Sequence, residues 1–232
     1  MLKGIDFINA QATILSNNTL QVGQRQIDAK FMLIATGSKP LALNDIKFDG
    51  KKIISSNEIL DLKEIPQSLL IIGGGVIGCE FASLFSALGC QVSIVELTAQ
   101  LLPGIDKEVA KKLETIYKKK SVKVATNTDA RNLDLKHYDL VLLCIGRTPV
   151  TEGLGLNELG IKSEKSMIVV DEYLRSSIPN IYAAGDCASK ICLAHFAAYQ
   201  GCIAAEKILR TRSILRRRIF PLYPAVSLPN LK

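Results

Sequence analysis

Between residues 68 and 96 the chain alternates short apolar runs with glycines, and the spacing of its apolar positions changes twice. "SLLIIGG" (68–74) is a continuous apolar run of strand length closed by glycines, which predicts a buried strand. "VIGCEFASLFSALG" (76–89) then places Ile77, Phe81, Leu84, Phe85 and Leu88 at helical spacing, with Gly89 as the stop signal. "CQVSIVE" (90–96) returns to a strand. Pro103 and Gly104 interrupt the chain, Asp106 is the expected N-cap, and Val109, Leu113 and Ile116 form the apolar stripe of a second helix among Lys and Glu. "SVKVAT" (121–126) and "YDLVLLCIG" (138–146) supply further strands. Residues 66–147 therefore read βαβαβ, which predicts an α/β fold with a Rossmann-like, doubly wound parallel sheet and right-handed crossovers.

The stretch from Ser68 to Val95 holds one charge, Glu80. Its glycines cut it into pieces too short for a bilayer, so buried strands are expected and no membrane partner. At 232 residues and 48% hydrophobic content the chain has room for one or two domains. Six cysteines, several in apolar runs and none as C-x-x-C, read as reduced core thiols, with no metal site and a reducing compartment, the cytoplasm. "MLKGIDFINA" has no apolar signal-peptide core. The net charge of +7 belongs to the end of the chain: residues 207–232 carry seven Lys/Arg and no acid. "RTRSILRRR" lacks interleaved aromatics, so a disordered or aberrant basic tail is expected and no nucleic-acid partner.

"IIGGGVIGCE" (71–80) holds the pattern G-x-G-x-x-G, with a strand before it and an amphipathic helix after it. Gly73 permits the tight turn, Gly75 lets backbone approach a pyrophosphate, and Gly78 lets helix and strand pack closely. Phosphates would sit on the helix N-terminus, where uncapped N–H groups and the helix dipole favour negative charge. Glu96 follows Gly73 by 23 residues at the end of the second strand. A carboxylate there accepts a ribose 2′-hydroxyl and repels a 2′-phosphate, which favours NAD over NADP.

Six stretches in order, "LIATGSKP" (33–40), "IGGGVIGCEFASLF" (72–85), "LLPGIDKEV" (101–109), "LCIGRTPV" (143–150), "IYAAGDCA" (181–188) and "LAHFAAYQG" (193–201), make residues 1–206 resemble the FAD-dependent pyridine nucleotide-disulfide oxidoreductases. "LAH" after "GD", together with Glu96, makes the dihydrolipoyl dehydrogenase branch the nearest likeness. The resemblance implies an NAD-binding domain (66–148) inserted in a partial FAD-binding domain (1–65 and 149–206), followed by the tail (207–232). It implies that Gly73, Gly74, Gly75, Val76, Ile77, Gly78, Cys79 and Glu80, with Glu96 and Gly146, hold NAD. Thr36, Gly37 and Ser38 would lie near the flavin nucleotide, with Ala12 approaching the adenine through its backbone. Asp186 would accept hydrogen bonds from the ribityl chain, and Cys192, Leu193, Ala194 and His195 would pass beside the isoalloxazine ring.

The implied reaction passes electrons from a dihydrolipoyl dithiol through FAD to NAD. A lipoyl-bearing protein and a second copy of the chain are the family's partners. Only one glycine fingerprint is present, which implies a chain beginning within the first FAD segment. The redox C-x-x-x-x-C and its lysine, the dimerisation domain and the His/Glu pair would lie outside it. No residue here is therefore expected to be catalytic, and the chain alone is expected to be inactive. By the same resemblance Glu80 would face that lysine, and "NTDARNLDLKH" (127–137) would replace a longer strand meander. "CASKIC" has redox-pair spacing, but it follows the "GD" turn, where small apolar residues suffice, and is read as coincidence. Two alternatives stay open: a non-catalytic NAD-binding fragment or pseudoenzyme, and another NADH-dependent flavin disulfide reductase.

Overall fold

The computed structural model describes residues 4–209. These form two compact units, one of residues 4–38 and 149–209, the other of residues 39–148. Residues 39–65, expected to extend the first FAD segment, fold instead with the second unit. The reason is packing: a strand at Ile53–Ile54 joins the second unit's sheet, and Ile46 and Ile59 enter its core.

In the first unit, β1 (Ala12–Ile14), β2 (Thr19–Val22) and β3 (Arg25–Asp28) form an antiparallel meander, in which Val22 faces Arg25 across a turn with Gly23 at φ +58°. Next comes β4 (Met32–Ile34) and, where the chain leaves the unit, β5 (Ser38–Pro40).

The second unit holds β6 (Ile53–Ile54), β7 (Ser68–Ile72), α1 (Val76–Ala87), β8 (Gln91–Val95), α2 (Lys107–Lys119), β9 (Lys123–Ala125) and β10 (Leu140–Leu143), and ends in β11 (Arg147–Pro149). Its sheet is parallel throughout, in the order β6-β10-β7-β8-β9. Period-two alternation divides the apolar runs between two faces. Leu69, Ile71, Ile94, Leu140 and Leu142 meet Cys79, Ala82 and Phe85 of α1 and Tyr117 of α2. Leu70, Ile72, Val95, Val141 and Leu143 meet Ile46 and Ala130. Two short 3₁₀ turns, Ala130–Asn132 and Leu135–His137, take the place between β9 and β10 where the sequence suggested a bare linker.

The helices lie where predicted, and Phe85, Ile77, Phe81 and Leu113 face the core as expected, but the outer apolar positions do not. In α1 the buried positions are Gly78, Cys79, Ala82 and Phe85, while Leu84 and Leu88 are exposed. In α2 they are Ala110 and Tyr117, with Leu113 partly buried, while Val109 (55% exposed) and Ile116 (43%) face outward. Small residues bring the helix backbone closest to a sheet, so Gly, Cys and Ala outcompete bulkier apolar neighbours for the buried stripe. Asp106 caps α2 as expected, its carboxylate accepting from the amides of Glu108 (2.9 Å) and Val109 (3.3 Å). Gly89 ends α1 at φ +86°.

Back in the first unit, β12 (Ser163–Glu164) and β13 (Met167–Ile168) form a hairpin, and β14 (Ile181–Ala183) pairs in parallel with β4. α3 (Ala194–Leu209) follows, burying Gln200 and Ala204. Of the predicted basic tail, 210–232 lies outside the described residues. Residues 207–209 end α3, with Lys207 Nζ 3.9 Å from the centre of the Tyr173 ring. Among the described residues, no helix is long and apolar enough to cross a membrane.

Candidate functional site

In the second unit, strand order reverses between β7 and β10, and at such a switch point a crevice opens beyond the carboxyl ends of the strands. The glycine turn lies there, between β7 and α1. Gly73 has φ +115°, and a Cβ on it would stand 2.5 Å from the Cys144 carbonyl oxygen just past β10. Two separate constraints thus require glycine at this position. A Cβ at Gly78 would collide with the Gly73 carbonyl oxygen and meet Cys144 Sγ and Ile71 Cγ2, each at 3.1 Å. The three-glycine spacing therefore follows from α1 starting directly against its own turn.

Gly75 is different. It caps α1 in extended backbone (φ −72°, ψ −173°), nothing lies within 4 Å of its Cβ position, and no side chain caps the helix. The first-turn amides of a helix have no intrahelical acceptor, so an open, uncapped start is a seat for an anion. Gly146, past the end of β10, also has open space at its Cβ position and φ +144°. Val76 and Ile77 open α1, Val76 exposed and Ile77 partly buried.

Gly74 is fixed from several sides. Its amide donates to Glu96 Oε2 (2.6 Å), and its carbonyl accepts from the Leu102 amide (2.7 Å) and from the Cys79 thiol (3.4 Å). Glu96 is only 7% exposed, and its second oxygen accepts from the Thr98 amide at 2.7 Å. The carboxylate is thus held beside the turn, with a lone pair left on each oxygen for a further donor.

Two groups support the turn from beneath, and neither stands out in the sequence. The Tyr117 hydroxyl, buried under α1, donates to the Cys79 carbonyl at 2.6 Å and lies 3.1 Å from Ser83 Oγ. Burial pushes its pKa up to about 12, against the lowering effect of the Ser83 hydrogen bond. Cys144 donates to the Ile72 and Gly73 carbonyls, both at 3.5 Å. Burial, reinforced by Cys79 and Glu96, pushes this thiol up to about 12, and burial likewise raises Cys79. Both are structural thiols. Glu80 is exposed, because it sits on the outer face of α1.

In the first unit, the parallel pairing of β4 with β14 brings their carboxyl ends side by side. Ser38 Oγ donates to Asp186 Oδ2 (2.5 Å), Thr36 Oγ1 donates to the Val150 carbonyl (2.6 Å), and Gly37 takes φ +70°. Ser38 and Asp186 are therefore in direct contact, with Thr36 and Gly37 on the segment that leads to Ser38. Ala12 heads β1 in the antiparallel meander, a different sheet. Cys192 and Leu193 are exposed just before α3, and Ala194 and His195 form its exposed start. Cys187 is buried and donates to the carbonyls of Ile34 (3.5 Å) and Ala184 (3.3 Å), whereas Cys192 is exposed, so the two sit in unlike environments.

Gln200 is the residue that sequence reasoning missed in this unit. It is buried on α3, and its Oε1 accepts from the Gly185 amide at 2.8 Å, fixing the turn that carries Asp186. An amide side chain in line with Ala204 on the apolar face of a helix was the available signal.

The model of the pyridine nucleotide-disulphide oxidoreductase family matches residues 1–201. A dihydrolipoyl dehydrogenase from Chlamydia trachomatis is 39% identical over 198 residues, covering 78% of this chain and 43% of that protein. Another from Bacillus subtilis is 36% identical over 221 residues, covering 87% of this chain and 48% of that protein. Among solved structures, the Cu(II) complex of the HOCl-induced flavoprotein disulfide reductase RclA from Escherichia coli superposes with a TM-score of 0.83 at 29% identity, over 90% of this chain and 51% of RclA. LpdA from Mycobacterium tuberculosis gives 0.78 at 28% identity, over 88% of this chain and 50% of LpdA. The chain spans about half the length of the relatives it matches.

Proposed function

Because the chain belongs to the pyridine nucleotide-disulphide oxidoreductase family, we propose that it provides the NAD-binding unit and part of the flavin cradle of a dihydrolipoyl dehydrogenase-like flavoprotein. The observation that carries this reading is the open, uncapped start of α1 behind a turn that only glycine can make, with a buried carboxylate held at its side. Amides at the start of α1 hold the pyrophosphate of NAD, and the open Cβ positions of Gly75 and Gly146 let the nucleotide lie against backbone. Glu96 accepts the adenosine ribose hydroxyls and excludes a 2′-phosphate. Thr36, Ser38 and Asp186 supply hydroxyl and carboxylate groups toward FAD, and the segment from Cys192 to His195 flanks its ring. The bound cofactors supply transfer of a hydride equivalent from a dihydrolipoyl dithiol to NAD; the chain positions them.

The proposed partner is a lipoyl-bearing protein, and the proposed compartment is the cytoplasm, in keeping with six free thiols. The RclA match favours a second reading, an NADH-dependent flavin reductase acting on another disulfide. Fluorescence titration with NADH and NADPH tests the nucleotide assignment. NADH should bind at least tenfold more tightly, a difference of about 1.4 kcal/mol. Equal affinities would remove the role given to Glu96, and absence of binding would remove the function.

A further inference from the structure

Glu96 is placed for more than choosing between NAD and NADP. Its Oε2 receives the Gly74 amide at 2.6 Å and its Oε1 the Thr98 amide at 2.7 Å, in a site where only 7% of the residue is exposed. Gly74 lies between Gly73, at φ +115°, and the helix-capping Gly75. A Cβ on Gly74 would stand 2.6 Å from Leu101 Cδ2 and 3.0 Å from Glu96 Cβ, so the turn rests directly on the Glu96 side chain. On the far side, the Gly74 carbonyl is tied to Leu102 and Cys79. A side chain would have open space at Gly75 and Gly146, whereas at Gly74 it would meet Leu101 and Glu96.

We propose that Glu96 is a positioning residue for the phosphate seat: its carboxylate clamps Gly74, and through it sets the turn that aims the start of α1 at the pyrophosphate. This rests on the nucleotide reading above and deepens it. Choice of the 2′ substituent and affinity for the phosphates then depend on one side chain. Removing the carboxylate to admit NADPH also loosens the seat for every nucleotide. A glutamine cannot substitute, because its NH₂ would face one of two N–H donors.

The test uses a ligand that cannot report a ribose contact, 2′,3′-dideoxyadenosine diphosphate, alongside NADH and NADPH, with wild type, Glu96→Gln and Glu96→Asp. Amide hydrogen exchange at Gly74 is followed by NMR in the ligand-free proteins. In Glu96→Gln, Gly74 should exchange faster, and affinity for the dideoxy nucleotide should fall about tenfold, as loss of a hydrogen bond to a charged group implies. Glu96→Asp keeps the charge but draws it back by one methylene. It should therefore still reject NADPH while losing affinity for both other ligands. Unchanged Gly74 exchange, or undiminished dideoxy affinity where NADH alone weakens, would overturn the clamp and leave Glu96 a ribose ligand only. If wild type binds none of the nucleotides yet Gly74 exchange responds to Glu96→Gln, the nucleotide reading fails and the clamp stands.

Discussion

Adding one methyl group at Gly78 measures how closely α1 is seated on its own turn. Inside a helix, glycine to alanine ordinarily stabilises by about 1 kcal/mol. Here the new Cβ collides with the Gly73 carbonyl oxygen, a backbone atom that cannot swing away, and crowds Cys144 Sγ and Ile71 Cγ2 at 3.1 Å. Relief requires α1 to rise from β7, uncovering Cys79, Ala82 and Phe85. Overpacking of this kind costs roughly 1–3 kcal/mol, and a backbone obstacle places it at the upper end. Set against the helix gain, the net loss is about 2 kcal/mol, a fall in Tm of roughly 4–8 °C for a chain of this size. Gly75→Ala is the matched control. Its Cβ enters open space from an extended backbone, so stability should stay within about 0.5 kcal/mol of wild type. The methyl would nevertheless stand where phosphate approaches backbone, and NADH affinity should fall at least tenfold, about 1.4 kcal/mol. The assay is calorimetric unfolding of both variants with NADH titration of each. An unchanged Tm for Gly78→Ala, or wild-type NADH binding by Gly75→Ala, would refute the division of labour among the glycines.

Tyr117→Phe removes the donor to the Cys79 carbonyl in a fully buried site and should cost about 1–2 kcal/mol in urea unfolding; an equal midpoint would show that the bond contributes nothing. Alkaline stability should depend in part on Cys144, whose thiol is pushed up by burial from 9.0 to about 12, with burial raising Cys79 and Cys90 in the same sense. Its neutral form is favoured in the fold, so its contribution is intact below 9.0 and lost as pH rises toward about 12, with Tyr117 acting in the same sense from 10.0. The slope from Cys144 is roughly 1.4 kcal/mol per pH unit in that window, and Cys144→Ala should flatten it in denaturant melts at pH 8, 10 and 11. Glu80→Gln should leave Tm almost unchanged because the side chain is exposed; a shift of several degrees would reveal a partner for it within the chain.

Elements with strong periodicity were legible in the sequence. The runs "SLLII" and "LVLL" became central strands because only a sheet covered on both faces buries such runs whole. The glycine spacing was legible for a related reason: Gly73 and Gly78 each meet a backbone demand that a Cβ would violate, and Gly75 leaves the start of α1 open. The apolar stripes of α1 and α2 were legible in part: Phe85, Ile77, Phe81 and Leu113 meet the core, while the small residues Gly78, Ala82 and Ala110 take buried places that apolar spacing alone did not mark. The apolar positions of residues 39–65 follow no single period, so they did not show which unit they would join; a two-residue strand, buried Ile46, Ile54 and Ile59, and the packing of Leu43 and Phe48 decided it. In the candidate site, the acidic residue after β8 was legible as a charge, but not as a clamp, since its bonds run to backbone amides that any sequence would offer. Gln200 was obscured in the same way, acting on a backbone amide 15 residues away.

The most direct test of the central claim is a crystal structure of the chain with NADH. Its pyrophosphate is expected on the amides that open α1 beside Gly75, with the adenosine ribose hydroxyls on Glu96 and the chain passing Gly146. A nucleotide ordered elsewhere, or a pyrophosphate that leaves the start of α1 untouched, would contradict the account.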